Sequence, residues 1–286
     1  MKKVVAYFNK ELAEIGFKLY EPCKELKPYI FNYWKIEANL SEKKSLKILT
    51  DGSLGFVINF ANSFSLEVNQ KQILCSSPVT LTGQTKYPTI INFNKKIEAF
   101  GIRFNPAGAY RFFDEELSCF QDRNIDYKDS FWNFIEFFEK LKTCSEEQRV
   151  IFCDEFLLKR LALSKKENSK YTFKIIELIN KREGDISVEE LSSYFNISAR
   201  QIERVFKKEL GLTVKLFIRI IRLRNTRDKI SSLKVDTLTN TAYDNGFFDQ
   251  AHFIKEFKSF MSETPKNYYS NKLQMAKELN YKKYKA

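Results

Sequence analysis

A pattern that occurs twice, 51 residues apart, constrains the C-terminal part of this chain more than any other feature. Phe206 returns as Phe257, and Thr213 returns as Thr264. Each of these four residues is followed within two positions by a lysine, so the match extends beyond single residues. A pattern repeated in register indicates a duplicated structural unit. We therefore expect one small fold to occur twice in this part of the chain.

The first copy carries the local signals of two helices joined by a short turn. Ser187-Val188-Glu189-Glu190 is a capping box, which opens a helix ending near Phe195. Asn196 then tolerates the left-handed backbone that a tight turn needs. Ser198-Ala199-Arg200-Gln201 is a second capping box and opens a helix through about Leu210. This order is the helix-turn-helix pattern.

The second copy repeats this order. A helix from about Leu238 to Asn245 is expected to end at Gly246, and Asp249 is suited to cap the next helix. Between the copies, residues 213 to about 229 predict one continuous helix with apolar positions on one side and arginines mostly exposed. One copy alone would equally fit an ordinary α-hairpin, but two copies in register favour a duplicated helix-turn-helix.

Basic charge is concentrated in the same part of the chain. The chain has 48 Lys and Arg against 36 Asp and Glu, a net charge of +12. Residues 1–165 contain 24 basic and 21 acidic side chains, a net of +3, and residues 166–286 contain 24 and 15, a net of +9. This excess predicts an anionic partner, either nucleic acid or a membrane surface. Residues 273–286 also fit a solvated basic tail.

The second helix of each copy is predicted to turn polar side chains outward, opposite an apolar face. Arg204 is placed for bidentate contact with guanine, and Glu203 for accepting a hydrogen bond from a cytosine amino group. Lys207 and Lys258 are better placed for phosphate. The outward residues are Arg200, Glu203, Arg204 and Lys207 in the first copy and Gln250, His252, Ile254 and Lys255 in the second.

These residues resemble the DNA-binding domain of the AraC/XylS family of bacterial transcription regulators. The resemblance rests on "ISVEELSSYFNISARQIERVFKKELGLT" and "NTAYDNGFFDQAHFIKEFKSFMSETPKNYY" and covers roughly residues 171–270. In that family, the second helix of each unit enters a major groove, and the central helix spaces the two units. The resemblance implies base-reading positions at Arg200, Glu203 and Arg204 in the first unit and at Gln250, Ala251, His252 and Lys255 in the second.

The second unit departs from the family pattern at two positions. Ser262 stands where the family, like Gly211 of the first unit, has glycine, and serine is less suited to a left-handed turn. We therefore expect this corner to be shifted. Ala251 offers only a methyl group, which suits contact with thymine.

The N-terminal half predicts strands followed by helices. Apolar and polar residues alternate in several short segments over about residues 47–104, which suggests a small sandwich or barrel. Over about 131–163 the period becomes helical, and Ser145-Glu146-Glu147-Gln148 is a capping box. An aromatic stripe precedes this box, formed by Phe131, Phe134, Ile135, Phe138 and Leu141. The stripe fits packing against the sheet, a subunit interface, or both.

The N-terminal part also resembles the cupin-like sensory domain of some AraC-type regulators, through "YEPCKELKPYIFNYWKIE", "LTDGSLGFVINF" and "AFGIRFNPAGAYRFF". The resemblance implies a small-molecule effector, for which Trp34 and Arg103 are candidate contacts, although both also fit a core or rim role. The whole chain is then of α+β class: a cupin-like β-barrel with flanking helices (1–163), a linker (164–170), an all-α domain of two helix-turn-helix units joined by a central helix (171–272), and the basic tail.

Composition argues against most catalytic and metal sites. His252 is the only histidine, so a multi-histidine metal site is excluded, and none of the five cysteines forms a C-x-x-C pair. The apolar run near the N-terminus ends too early for a signal peptide and no stretch is long enough to span a membrane, so we expect neither. We expect no catalytic residues, no metal, no cofactor, no membrane contact and a cytoplasmic location.

The sequence therefore predicts a regulator, of the activator kind, that binds double-stranded DNA and contacts RNA polymerase. A small effector or dimerisation through residues 131–163 would control it. Two alternatives remain: a regulator that acts through protein contacts without binding DNA, and a catalytic cupin.

Overall fold

A computed structural model divides the chain into a β-rich N-terminal part and an all-helical C-terminal part. The structure describes residues 14–61, 64–93, 96–126, 134–232 and 249–273. The predicted α+β class with two domains is confirmed. The expected helix at 238–245, its stop at Gly246 and the tail after residue 273 lie outside the described residues.

The N-terminal part is built from two antiparallel sheets that face each other. A six-stranded sheet has the order β1-β2-β9-β4-β7-β10, and a four-stranded sheet has the order β3-β8-β5-β6. The strands are β1 Lys18–Tyr20, β2 Ile30–Asn39, β3 Lys44–Ile48, β4 Gly55–Asn59, β5 Phe64–Val68, β6 Lys71–Cys75, β7 Val79–Thr82, β8 Thr89–Phe93, β9 Lys96–Phe104 and β10 Asn124–Asp126.

The strands extend beyond the expected limits of 47 and 104. β1 and β2 precede that range and β10 follows it. The burial of β2 does not alternate along its length, since it packs on both faces, so a search for period-2 patterning does not detect it. Its nearly full-length pairing with β9 nevertheless makes it a central strand.

Seven α-helices lie wholly within the described residues. They are α1 Phe134–Thr143, α2 Glu146–Leu163, α3 Thr172–Lys181, α4 Val188–Phe195, α5 Ala199–Glu209, α6 Val214–Ser231 and α7 Gln250–Met261. Residues 265–273 are also helical. None of the helices in the described ranges combines the length and apolarity that crossing a membrane requires.

The six-stranded sheet is covered on one face by α1 and α2 and on the other by the second sheet. Tyr33 and Phe100 stack at 6.0 Å in the core shared with the helices, which also contains Phe137. Phe138 and Leu141 of the expected stripe on α1 face the core, but the stripe is wrong at Ile135, which is 82% exposed. The buried face also includes Phe137, which is one helical turn from Leu141, because positions four apart share a face. Phe131 and the side chain of Phe134 lie outside what the structure describes.

Buried polar contacts attach α2 to the sheet. The predicted capping box at Ser145 and Gln148 is confirmed. Asp154 accepts hydrogen bonds from the Tyr33 hydroxyl, at 2.8 Å, and from the Cys23 backbone N–H, at 3.1 Å. A buried carboxylate needs such partners, so these bonds fix the helix in register on the sheet.

Candidate nucleic-acid interface

The turn between α4 and α5 sets the orientation of α5, the second helix of the first unit. The capping box at Ser187 and Glu190 is confirmed, and Asn196 adopts the expected left-handed backbone with φ 51°. Ser198 then caps α5 by accepting a hydrogen bond from Gln201 N–H at 3.2 Å. Ile202 and Phe206 are fully buried, so the opposite face of α5 points outward.

Three of the four candidate residues on α5 are exposed, and the fourth is engaged with the protein. Arg200, Arg204 and Lys207 are exposed on the outer face. Glu203 is half-buried, and its Oε2 accepts a hydrogen bond from the Val214 backbone N–H at 3.3 Å, at the start of α6. One carboxylate oxygen of Glu203 therefore helps to fix the entry to the central helix.

α7 occupies the corresponding place in the second unit. Asp249 caps it as expected, accepting a hydrogen bond from His252 N–H at 2.7 Å. Phe253 and Phe257 are buried beneath it. The candidate residues are all exposed, namely Gln250, Ala251, His252, Lys255 and Lys258. The outer faces of α5 and α7 thus both carry cationic and hydrogen-bonding side chains that a polyanion can reach.

The arginines of α6 have a different role from the expected one. Arg219 forms an ion pair with Glu256 and donates to Ser259 at 2.6 Å, while Arg222 donates two bonds to the Gly184 carbonyl oxygen at 3.0 and 2.8 Å. These side chains are half-buried and tie the units together, whereas the sequence predicted them to be mostly exposed.

Both units end their recognition helix with the same backbone conformation. Gly211 has φ 79° and Ser262 has φ 60°, so serine enters the left-handed region that glycine enters in the first unit. The expected displacement of this corner is therefore not observed. Serine adopts this conformation at a cost of about 1 kcal/mol relative to glycine.

The N-terminal part contacts the end of α5, which no sequence pattern predicted. Gln84, which follows β7 and is buried, donates a hydrogen bond from Nε2 to the Leu210 carbonyl oxygen. A hydrogen bond with Tyr110 raises the pKa of Lys208, whose Nζ lies 5.5 Å from the ring centroid. These contacts join segments more than ninety residues apart, so no local pattern predicts them.

A second group of contacts at this end involves the segment that joins the two parts. Glu209 is buried and accepts hydrogen bonds from three residues of that segment or just after it. Asn168 Nδ2 donates at 2.9 Å, Ser169 N–H at 3.0 Å and Thr172 Oγ1 at 2.7 Å. Through Glu209, the end of α5 therefore holds the segment that leads from the N-terminal part into the C-terminal part.

A cavity lies between the two sheets and opens towards the C-terminal part. Its volume is about 910 Å³, and both effector candidates, Trp34 and Arg103, line it. Arg103 pairs with Asp51 and lies 4.8 Å from the Phe31 ring centroid. The Trp34 indole lies directly over Gly101, where a Cβ atom would come within 1.9 Å of the ring.

The C-terminal part contributes to the wall of the same cavity. Phe217, Ile221 and Arg224 of α6 face it. Burial lowers the pKa of Arg224, which donates to Asn180 Oδ1 at 2.9 Å. Because both parts line this cavity, a ligand bound there would touch the N-terminal and the C-terminal part at once. Within the described ranges, no group of histidine, cysteine and carboxylate side chains is arranged to hold a metal ion.

Two family models match the chain. Residues 191–271 match a helix-turn-helix domain, and residues 18–126 match a domain of unknown function (DUF6597). The matched helix-turn-helix range begins within α4 and includes both α5 and α7.

Curated relatives match this chain over only part of their own length. An uncharacterised HTH-type transcriptional regulator of Staphylococcus aureus is 32% identical over 84 residues, which are 29% of this chain and 11% of that protein. The Msm operon regulatory protein of Streptococcus mutans is 22% identical over 116 residues, 40% of this chain and 41% of that protein. The chain thus spans about a tenth and two fifths of their lengths.

The solved structures that match this chain have low sequence identity to it. ToxT from Vibrio cholerae is 12% identical, with 83% of this chain and 97% of that chain covered and a TM-score of 0.46. The C-terminal domain of AraT from Geobacillus stearothermophilus is 22% identical over 37% of this chain and 88% of that chain, with a TM-score of 0.34.

Proposed function

We propose that this chain is a sequence-specific DNA-binding transcription regulator that presents α5 and α7 to successive major grooves of one duplex. The observation that carries the proposal is the pair of capped helices, each with exposed basic side chains, inside an AraC-type domain. The net charge of +9 over residues 166–286 supports a polyanionic partner. Two grooves on the same face of DNA are about 34 Å apart.

We assign reading roles by reach and charge. Arg200 and Arg204 contact base edges, with Arg204 bidentate to guanine. Glu203 accepts from a cytosine amino group through Oε1, since its Oε2 accepts from Val214. In α7 the reading residues are Gln250, Ala251, His252 and Lys255, and Ala251 packs against a thymine methyl group. Lys207 and Lys258 neutralise phosphates.

Selection of binding sites from random duplexes with the full chain tests this function and returns the operator sequence. With the selected duplex, Arg204→Ala is expected to lose about 1–3 kcal/mol and to relax specificity at one base pair. Arg182→Ala, an exposed arginine beyond the end of α3, is the control and should bind as the wild type does. An unchanged footprint for Arg204→Ala would remove α5 from the interface.

The cavity between the sheets is the proposed effector site. Its volume of about 910 Å³ lies within the usual range for small-molecule sites, and Trp34 and Arg103 provide an aromatic face and a cation. A thermal-shift screen of small molecules, repeated with Trp34→Leu and Arg103→Gln, tests this site. Ligands that raise the melting temperature of all three proteins equally would place the effector elsewhere.

We further propose a cytoplasmic activator that contacts RNA polymerase, with the domains divided at 1–163, 164–170 and 171–272. Dimerisation through α1 and α2 is supported by the exposed apolar side chains of Ile135, Ile151 and Leu163. Sedimentation at tens of micromolar, with and without the selected duplex, tests the dimer. A monomer in both conditions would contradict it.

Two other functions predict different results. A regulator acting only through protein contacts would show no salt-sensitive binding to any duplex. A catalytic cupin would carry a stoichiometric metal, which a metal assay of the purified protein detects. The proposed regulator needs no catalytic residue, metal or cofactor.

A further inference from the structure

The N-terminal domain donates a hydrogen bond to the same backbone position in both helix-turn-helix units. Gln84 Nε2 donates to the carbonyl oxygen of Leu210, and Lys47 Nζ donates to that of Met261 at 2.9 Å. Leu210 and Met261 are 51 residues apart, the spacing of the repeat. The two bonds therefore reach equivalent carbonyl groups at the C-terminal ends of α5 and α7.

At the first unit this contact is a tight and buried one. Gln84 and Leu210 are both almost fully buried. A Cβ atom on Gly211 would lie 2.5 Å from the Leu117 carbonyl oxygen, so the end of α5 rests directly on the backbone of the N-terminal domain. Among the described residues, Gln84 Oε1 has no hydrogen-bond partner. A buried amide that is only half satisfied costs stability, which favours a positioning role for Gln84.

At the second unit the contact is made by an exposed lysine. Lys47 lies on β3, and its ammonium group reaches the last residue of α7. Carbonyl groups at a helix C-terminus lack partners within the helix and attract cations, so this pairing is favourable. Both donors belong to the N-terminal domain, Gln84 just after β7 and Lys47 on β3, so this domain links the two helix ends independently of α6.

We propose that the N-terminal domain braces the two helix-turn-helix units against each other, and that Gln84 and Lys47 are positioning residues that set the separation of the two DNA-reading helices. This inference rests on the proposed function. Neither residue contacts DNA in this arrangement, because both bind the ends of the helices opposite the capped N-termini. Their effect is on which spacing between half-sites the protein accepts.

The test compares binding to duplexes with altered spacing. One base pair inserted or removed between the two half-sites changes their separation by about 3.4 Å and their rotation by about 35°. The full-length wild type is expected to lose roughly tenfold in affinity for each such duplex. The double variant Gln84→Met, Lys47→Met keeps the side-chain length and removes both donors, and should lose about threefold or less.

Lys44→Met is the matched control. Lys44 lies on the same strand as Lys47, but its ammonium group pairs with Glu14 instead of a helix end. It should keep the wild-type spacing penalty. The two single variants show how much each contact contributes. Thermal unfolding of every variant identifies losses of affinity that are caused by misfolding, since misfolding lowers the affinity for all duplexes equally.

The outcomes separate the inference from the proposed function. A double variant that folds and keeps the full wild-type spacing penalty would overturn the brace while leaving DNA binding intact. A wild type that binds no selected duplex would instead overturn the proposed function, and the brace with it.

Discussion

α5 and α7 share a side-chain cap at the N-terminus and a left-handed residue after the C-terminus, but they differ in how they are held. Glu209 in the first unit corresponds to Phe260 in the second, 51 residues later, and both are buried. The glutamate is surrounded by hydrogen-bond donors from Asn168, Ser169 and Thr172. The phenylalanine lies in the apolar core of the domain.

The two helices are thus alike in the local geometry of their ends, whereas the contacts that anchor them differ. The first unit is attached by buried polar bonds to the linker and to the N-terminal domain. The second is attached by apolar packing, by the ion pair of Arg219 with Glu256 and by one hydrogen bond from the exposed Lys47. Polar bonds depend on direction, so they fix position more strictly than apolar contacts of similar strength. Under the proposed function, we therefore expect a change in the N-terminal domain to act on DNA binding mainly through the first unit.

Among the variants that test this difference between the two units, Glu209→Ala is expected to have the largest effect on stability. Removing the carboxylate leaves several buried donors without an acceptor, so the free energy of unfolding should fall by about 2–4 kcal/mol. Urea denaturation measures this loss. Glu189→Ala, an exposed residue on α4, is the control and should change stability by less than about 0.5 kcal/mol. Equal, small effects would show that the first unit is held by apolar packing, as the second is.

Gly211→Ala is expected to have the next largest effect. The new methyl group meets the Leu117 carbonyl oxygen, and alanine must also adopt a positive φ, so the cost should be about 2–3 kcal/mol in thermal unfolding. Lowered affinity for the selected duplex should accompany it, because α5 is displaced from its support. A fully stable Gly211→Ala protein would contradict the close contact between the domains.

The phosphate contacts should be alike in the two units. Lys207→Ala and Lys258→Ala are each expected to weaken binding to all duplexes by about 1 kcal/mol and to reduce the slope of log affinity against log salt by about 0.9. Titrations at several salt concentrations measure both quantities. A sequence-dependent loss in either variant would move that lysine from phosphate to base contact.

The smallest effect is a gain in stability from Ser262→Gly. Glycine adopts the left-handed backbone without the steric penalty of serine, so the free energy of unfolding should rise by about 0.5–1 kcal/mol. A rise in melting temperature with unchanged DNA affinity would show that the second corner carries strain without a role in recognition. Ser259→Gly, within α7, should instead destabilise the protein.

The sequence predicted what local chemistry determines. Ser187, Ser198 and Asp249 all cap helices as expected, because capping depends on residues three positions apart. The apolar face predicted for the second helix of the first copy is confirmed, since Ile202 and Phe206 are both buried. The exposed candidates on α5 and α7 followed from the same periodicity.

What the sequence did not predict depends on contacts between distant segments. β2 was missed because the six-stranded sheet is covered on both faces, which removes the alternation of an exposed sheet. The side of α1 was misjudged at Ile135, since an apolar residue is no proof of burial. Gln84, Glu209 and the α6 arginines acquire their roles only when the two domains meet.

The hydrogen bonds of Glu209 also bear on where the chain can be divided for work on the isolated DNA-binding domain. A fragment that begins at residue 171 loses Asn168 and Ser169, and with them two of the three donors described for this carboxylate. A fragment that begins at residue 165 keeps all three. The last residues of the linker therefore stabilise the C-terminal domain and should be kept with it.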